Sequence, residues 1–191
     1  MKNTALLLID LQNDYFPGGR MELSGADEAL MNAKKLLNSA REKGVTVIFM
    51  QHFAVQARAA FFLPDTQGAE LHESLVPCEH EPVLKKNYPN SFRETSLEDY
   101  LKANSISKLF ICGMMSHMCV DATVRAAFDK DYSCILAHDS CATRSLQFRD
   151  QTVEAKEVQA AFMAALNARY AQVMDTDECI KIFNKQDPTQ Q

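Results

Sequence analysis

The sequence lacks several features that mark common classes of protein. Its six cysteines form no CxxC pair and no zinc-ribbon spacing, and neither a P-loop nor a GxGxxG motif is present, so zinc-ribbon and nucleotide-binding functions have no support. The apolar runs are all shorter than the roughly 18 residues of a membrane span. An excess of positive charge is also missing, since 20 basic and 25 acidic residues give a net charge of −5. We therefore expect no binding to nucleic acid or to an anionic membrane.

The residues that are present are typical of one globular domain. The chain has 191 residues, of which 47% are hydrophobic and 24% are charged, and both fractions are ordinary for globular proteins. No repeat, linker or low-complexity segment divides it, so we expect a single domain over residues 1–184 and a polar tail over 185–191. The start of the chain lacks the pattern of a secretory signal. We therefore expect a cytoplasmic protein with free thiols.

Short apolar runs alternate with amphipathic helical patterns along the whole chain. The runs predict strands near residues 5–9, 45–50, 82–85, 109–112, 134–137 and 171–174. The helical patterns cover 27–43, 95–103, 119–130, 152–170 and a segment after 176, with a capping box predicted at 95–98. This alternation predicts an α/β fold in one domain, with a doubly wound, mainly parallel sheet of about six strands and helices on both faces.

Residues able to carry chemistry fall at the carboxyl ends of the predicted strands, where open parallel sheets bind their ligands. Asp10 follows the first strand, His52 the second and Lys86 the third, while Cys119 follows the fourth at the start of a helical pattern. A helix N-terminus favours a thiolate, and its N–H groups can receive an oxyanion.

Two alternatives remain open on the residues alone. Either Lys85 or Lys86 can face the site, because a strand alternates its faces. A histidine two residues before the cysteine, at position 117, could act as a base or line a pocket.

Four segments resemble the isochorismatase-like cysteine hydrolases, a superfamily that includes nicotinamidases and N-carbamoylsarcosine amidohydrolase. They are residues 6–16 (LLLIDLQNDYF), 68–72 (GAELH), 83–92 (VLKKNYPNSF) and 113–127 (GMMSHMCVDATVRAA). The resemblance covers nearly the whole chain and implies a catalytic triad of Asp10, Lys86 and Cys119. It selects Lys86 because the aromatic residue of the family falls six positions after the lysine, where this chain has Phe92.

The resemblance also implies a mechanism. A cis peptide would fall at Met114–Met115, and the backbone N–H groups of Met115 and Cys119 would form the oxyanion hole. Lys86 and the helix end would favour the Cys119 thiolate, and Asp10 would carry protons while the sulfur attacks an amide or ureido carbonyl and forms a thioester. The alternatives are a vinyl ether hydrolase of the isochorismate-cleaving type, and a non-catalytic binding or redox-sensing protein on the same fold.

The metal ligands of nicotinamidases are changed at all three matching positions. His52 takes the place of an aspartate, and Ala54 and Phe61 take the places of two histidines. We therefore expect neither a metal nor a cofactor, and the expected partners are a small-molecule substrate and, from the resemblance, other copies of this chain in a homo-oligomer. Apolar and aromatic residues near the motifs are the candidates for a substrate pocket: Phe16, Phe53, Phe62, Phe92, Met115 and His117.

Overall fold

A computed structural model describes residues 1–185 and contains two β-sheets. The strands are β1 (Thr4–Ile9), β2 (Thr46–His52), β3 (Val83–Lys86), β4 (Lys108–Met114), β5 (Ser133–Ala142), β6 (Leu146–Phe148), β7 (Gln151–Val153) and β8 (Gln172–Met174). Six of them form one sheet in the order β3-β2-β1-β4-β5-β8, and every neighbouring pair in it is parallel. The remaining two, β6 and β7, form an antiparallel hairpin.

Five α-helices cover both faces of the six-stranded sheet. They are α1 (Ala26–Glu42), α2 (Leu97–Ala103), α3 (Asp121–Asp129), α4 (Ala155–Asn167) and α5 (Thr176–Lys185). β1 shows why two layers form, because Leu6 and Leu8 pack in the core that holds α1 and α5, whereas Leu7 and Ile9 pack in the core of α2, α3 and α4. A strand buried on both faces reads as a continuous apolar run. The predicted doubly wound α/β fold is confirmed.

The strand order reverses its direction between β1 and β4, which creates a crevice at their carboxyl ends. Gly113 pairs with Ile9 across these two strands and has φ +132°. A Cβ atom built on Gly113 would lie 2.0 Å from the Ile9 carbonyl oxygen. Glycine is therefore required here, because only a residue without a side chain lets the two backbones approach this closely.

The helix that follows β4 begins later than the sequence pattern predicts. The predicted start was residue 119, but Ser116–Val120 form a π-helical turn and α3 begins at Asp121. Cys119 therefore lies inside a wider turn that leads into the helix. Such π-helical turns occur often at functional sites.

Two other helix starts differ from their predictions. The helix predicted over 152–170 spans only Ala155–Asn167, because the residues before it form β7 of the hairpin. The capping box predicted at 95–98 does not form. The Thr95 hydroxyl accepts a hydrogen bond from the Leu97 N–H, but the Glu98 carboxylate pairs instead with two lysines, Lys102 and Lys130.

The described part of the chain ends with α5. Lys185 ends α5, and the rest of the predicted polar tail, 186–191, lies outside the described residues. Within the part of the chain that is described, no helix is both long and apolar enough to cross a membrane.

Candidate active site

Asp10 and Lys86 form an ion pair inside the crevice. Asp10 follows β1 with φ 52°, and Lys86 ends β3; their side chains are both fully buried, and Lys86 Nζ lies 2.8 Å from Asp10 Oδ2. Burial lowers the pKa of the Lys86 ammonium, but the Asp10 carboxylate and the Cys119 sulfur raise it by more, so this pKa stands above its ordinary value. Lys85, on the opposite side of β3, lies over the Phe53 ring. The structure thus brings Lys86, and not Lys85, to the site.

The Lys86 ammonium lies among several acceptors. Besides the Asp10 carboxylate, it contacts His52 Nδ1 at 2.9 Å and donates to the Tyr88 carbonyl at 3.0 Å, with the Pro89 carbonyl further away at 3.4 Å. An ammonium held in this way is a fixed positive charge with little freedom to reorient.

Cys119 completes the group. Its sulfur, an Asp10 carboxylate oxygen and a His52 ring nitrogen all lie within 4.8 Å of one another. Cys119 is only 4% exposed. Burial raises the pKa of its thiol, the nearby Asp10 carboxylate raises it further, and Lys86 lowers it by less. The raised pKa favours a protonated thiol at rest, because burial beside a carboxylate outweighs the effect of Lys86.

The peptide bond between Met114 and Met115 is cis, at the position that the resemblance implies. The Met115 carbonyl accepts hydrogen bonds from the N–H groups of Met118 and Val120, which close the turn around Cys119. Met115 also borders the cavity described next. The turn therefore places backbone, sulfur and cavity together.

Cys119 opens into a cavity of about 190 Å³ with a largely apolar wall. Its lining residues come from β2, the π-helical turn and three connecting segments: Tyr15, His52, Ala54, Gln56, Ala59, Phe61, Phe62, Asn87, Pro89, Met115, Met118 and Cys119. A volume of this size fits only a small molecule. Among residues 1–185, no arginine or lysine side chain lines the cavity, so the wall favours an uncharged ligand.

The structure brings only some of the predicted pocket residues to this cavity, namely Phe62 and Met115. Phe16 lies against the His72 ring at 4.5 Å instead. Phe92 stacks on Tyr132 at 5.9 Å in the core of α2, α3 and α4. Phe53 packs under Lys85. None of these three rings lines the cavity, because each packs against a neighbour that the sequence order does not reveal.

His117 is also directed away from Cys119. Its Nδ1 lies 2.5 Å from the Thr143 hydroxyl, and its ring approaches Phe162. It is absent from the cavity lining. The alternative role of His117 as a base for the thiol therefore has no geometric support.

His52 and Gln12 are the site residues whose roles the sequence reasoning missed. The buried Gln12 amide donates to the His52 carbonyl at 2.9 Å and accepts from the His52 N–H at 2.7 Å, so it fixes the backbone at the end of β2. Burial lowers the pKa of His52 to about 4, with Lys86 contributing and Asp10 opposing. His52 is therefore neutral at neutral pH. A signal was available, since Gln12 lies in the first matching segment and His52 ends a strand.

His52, Ala54 and Phe61, at the three places of the nicotinamidase metal ligands, all line the cavity. Only His52 among them has a metal-binding side chain. Asp10, His52 and Cys119 do offer three ligand atoms close together, but the Lys86 ammonium contacts both Asp10 and His52. Because a cationic group already occupies that position, these residues do not fit a resident metal ion.

Comparisons with known proteins agree with this fold. A family model described as the isochorismatase domain matches residues 4–178. The isochorismatase family protein YddQ of Bacillus subtilis is 49% identical over 178 residues, which cover 93% of this chain and 99% of the relative. A solved structure from Oleispira antarctica has a TM-score of 0.91 and 46% identity, covering 94% of this chain and 97% of that one. The chain therefore belongs to the isochorismatase family of hydrolases.

A more distant relative has a named activity. The ureidoacrylate amidohydrolase RutB of Azorhizobium caulinodans is 27% identical over 173 residues, which cover 73% of this chain and 76% of the relative.

Proposed function

We propose that this protein is a metal-independent cysteine amidohydrolase that cleaves the C–N bond of a small, uncharged amide or ureido compound. The single observation that carries the proposal is the buried cluster of Asp10, Lys86 and Cys119, in which a carboxylate, an ammonium and a thiol meet beside an apolar cavity. The named activity of the ureidoacrylate amidohydrolase supports this reaction class. Among the described residues that line the cavity, Cys119 carries the strongest nucleophile.

The first half of the reaction forms a thioester. As the Cys119 sulfur attacks the substrate carbonyl, its proton passes to Asp10, and the Lys86 ammonium stabilises the negative charge that develops on the sulfur. The backbone N–H groups of Met115 and Cys119 receive the carbonyl oxygen as it becomes an oxyanion. Asp10 then gives its proton to the leaving nitrogen, the C–N bond breaks, and ammonia or an amine departs.

The second half restores the enzyme. Asp10 removes a proton from a water molecule as that water attacks the thioester carbonyl. The tetrahedral intermediate collapses, the C–S bond breaks, and the sulfur regains the proton from Asp10. The products are a carboxylic or carbamic acid and the free thiol. A protonated resting thiol suits this cycle, because the proton that Asp10 delivers to the leaving group comes from Cys119 itself.

A redox-sensing role receives less support from these residues. Cysteine oxidation proceeds through the thiolate and requires access to solvent. Cys119 is 4% exposed, and its pKa is raised. Both properties disfavour oxidation of Cys119 by solvent oxidants, so the site favours a hydrolytic role over a redox-sensing role.

The experiment that tests the proposal measures ammonia release from a panel of small amides and ureido compounds. The variants are Cys119→Ala and, as the matched control, Cys134→Ala, which removes another buried thiol. We expect turnover of at least one compound by the unsubstituted protein and by the control, and a loss of about three orders of magnitude or more in Cys119→Ala. Equal turnover in Cys119→Ala would refute the cysteine mechanism. A vinyl ether, followed by release of its carbonyl product, is tested alongside the panel, and cleavage of the vinyl ether alone would favour the isochorismate-cleaving alternative.

A further inference from the structure

The contact between His52 and Lys86 fixes which nitrogen of the imidazole carries its hydrogen. Lys86 Nζ lies 2.9 Å from His52 Nδ1. An ammonium can only donate, so Nδ1 must accept, and an imidazole that accepts at Nδ1 carries its hydrogen at Nε2. The same ammonium is ion-paired with the Asp10 carboxylate at 2.8 Å and donates to the Tyr88 carbonyl at 3.0 Å. The assignment of the tautomer therefore follows from the direct contact between Nζ and Nδ1.

The imidazole is held as a neutral ring in a fixed position. Gln12 hydrogen-bonds both the N–H and the carbonyl of His52. Two charged groups act on the ring, Asp10 and Lys86. Two further titratable residues lie nearby, Cys119 within 4.8 Å of one ring nitrogen and Tyr15 in the same cavity wall. A charged imidazolium would place two cations in contact, and the burial of the ring adds to this cost.

Within residues 1–185, the polar contacts of the His52 ring with Lys86 at 2.9 Å and with Asp10 at 3.8 Å are both made by Nδ1, which leaves Nε2 for a ligand. The ring itself lines the cavity beside Cys119, in a wall otherwise made largely of apolar groups such as Ala54, Phe61 and Phe62. A donor that faces a small apolar cavity loses its water when a ligand enters. An unpaired donor then weakens the binding of the ligand, unless the ligand itself supplies a hydrogen-bond acceptor.

We propose that the His52 Nε2–H group is a specificity-determining hydrogen-bond donor, which selects substrates that carry a neutral acceptor atom in addition to the scissile carbonyl. The proposal rests on the proposed amidohydrolase function and narrows its substrate class. The preferred substrate is a small uncharged amide with a heteroaromatic nitrogen, an ether oxygen or a second carbonyl. A cationic group or a second donor at that position would be rejected, because it would meet an N–H that cannot accept.

The first test needs no substrate. In protein labelled with ¹⁵N-histidine, long-range ¹H–¹⁵N NMR reports which ring nitrogen is protonated, and the His52→Asn variant assigns the signal. Asparagine is the matched replacement because its amide oxygen can still accept from Lys86, while its shorter side chain places no N–H at the position of Nε2. We expect the neutral Nε2–H tautomer from pH 6 to 8. An Nδ1–H tautomer or an imidazolium over that range would overturn the proposal.

The second test measures selectivity with aldehydes, which form reversible thiohemiacetals with a cysteine. Benzaldehyde is compared with the three pyridine carbaldehydes by calorimetric titration, and Cys119→Ala is the blank. For each pyridine isomer, the affinity is divided by the affinity for benzaldehyde in the same protein. We expect this ratio to be about three- to tenfold higher in the unsubstituted protein than in His52→Asn for at least one isomer. Comparing the two ratios removes the intrinsic difference in aldehyde reactivity. Equal ratios in both proteins for all three isomers would overturn the proposal.

The two tests separate this proposal from the proposed function. If aldehydes bind the unsubstituted protein no better than they bind Cys119→Ala, the assignment of Cys119 as the nucleophile is contradicted, and with it the proposed function. The NMR test of the His52 tautomer needs no bound molecule, so its result bears on the His52 proposal alone.

Discussion

Replacing His52 should remove a specific part of the pH dependence of folding. In the folded protein, burial lowers the pKa of His52 to about 4, while an unfolded histidine titrates near 6.5. Between these two values the unfolded chain binds a proton that the folded chain does not. The free energy of unfolding therefore rises with pH over this range, and the contribution of His52 is lost progressively as the pH falls from about 6.5 to about 4.

The size of the effect follows from the separation of the two pKa values. At 1.36 kcal/mol for each pKa unit, the interval corresponds to about 3 kcal/mol. The side chain of His52 is 13% exposed, so solvent screening reduces this figure only modestly. An effect of that size is a large part of the total stability of an ordinary domain.

The assay is urea denaturation at a series of pH values from 7.5 to 4.0, on the unsubstituted protein, on His52→Asn and on His138→Asn as the matched control. Near pH 7.5 the His52→Asn variant is less stable, because asparagine packs less well than the ring. As the pH falls, only the proteins that retain His52 lose the linked contribution. We expect the stability difference between the unsubstituted protein and His52→Asn to decrease by about 3 kcal/mol across the series, with the control following the unsubstituted protein.

A stability difference that stays constant from pH 7.5 to 4.0 would refute the reasoning. It would mean that His52 titrates alike in the folded and unfolded chains, and so that the ring is neither desolvated nor held against the Lys86 ammonium.

Three other substitutions test separate parts of the structure. Gly113→Ala should destabilise the fold by more than about 2 kcal/mol in denaturant titrations because its Cβ would strike the backbone of β1, whereas Gly44→Ala, also at positive φ but in open space, should cost about 1 kcal/mol. Lys86→Met should cost about 3–5 kcal/mol by leaving the Asp10 carboxylate buried without its counter-ion, and Asp10→Asn in the same chain should restore part of that loss. The hairpin of β6 and β7 leaves Phe148 69% exposed, and we expect a second copy of the chain to cover it, so Phe148→Ser should raise the dissociation constant at least about tenfold in light scattering. An unsubstituted chain that is monomeric at all concentrations would contradict this last expectation.

Some properties of this protein follow from its sequence alone. The continuous apolar run of β1 requires cover on both faces of the sheet, and the alternation of strands and helices then leaves the doubly wound arrangement. Parallel strands end at the same edge, so Asp10, Lys86 and Cys119 could be placed together before any coordinates existed. The choice of Lys86 over Lys85 needed the resemblance as well, because strand alternation alone does not say which face holds the site.

Other properties depended on the tertiary structure. Whether an aromatic ring lines the cavity depends on the path of the connecting segments, which is why Phe62 faces it while Phe16, Phe53 and Phe92 pack elsewhere. The protonation of Cys119 and of His52 depends on desolvation and on charges brought from distant parts of the chain, and a local pattern contains neither. The sequence therefore determined which groups meet at the crevice, and the packing around them decided their charge states and the shape of the cavity that they face.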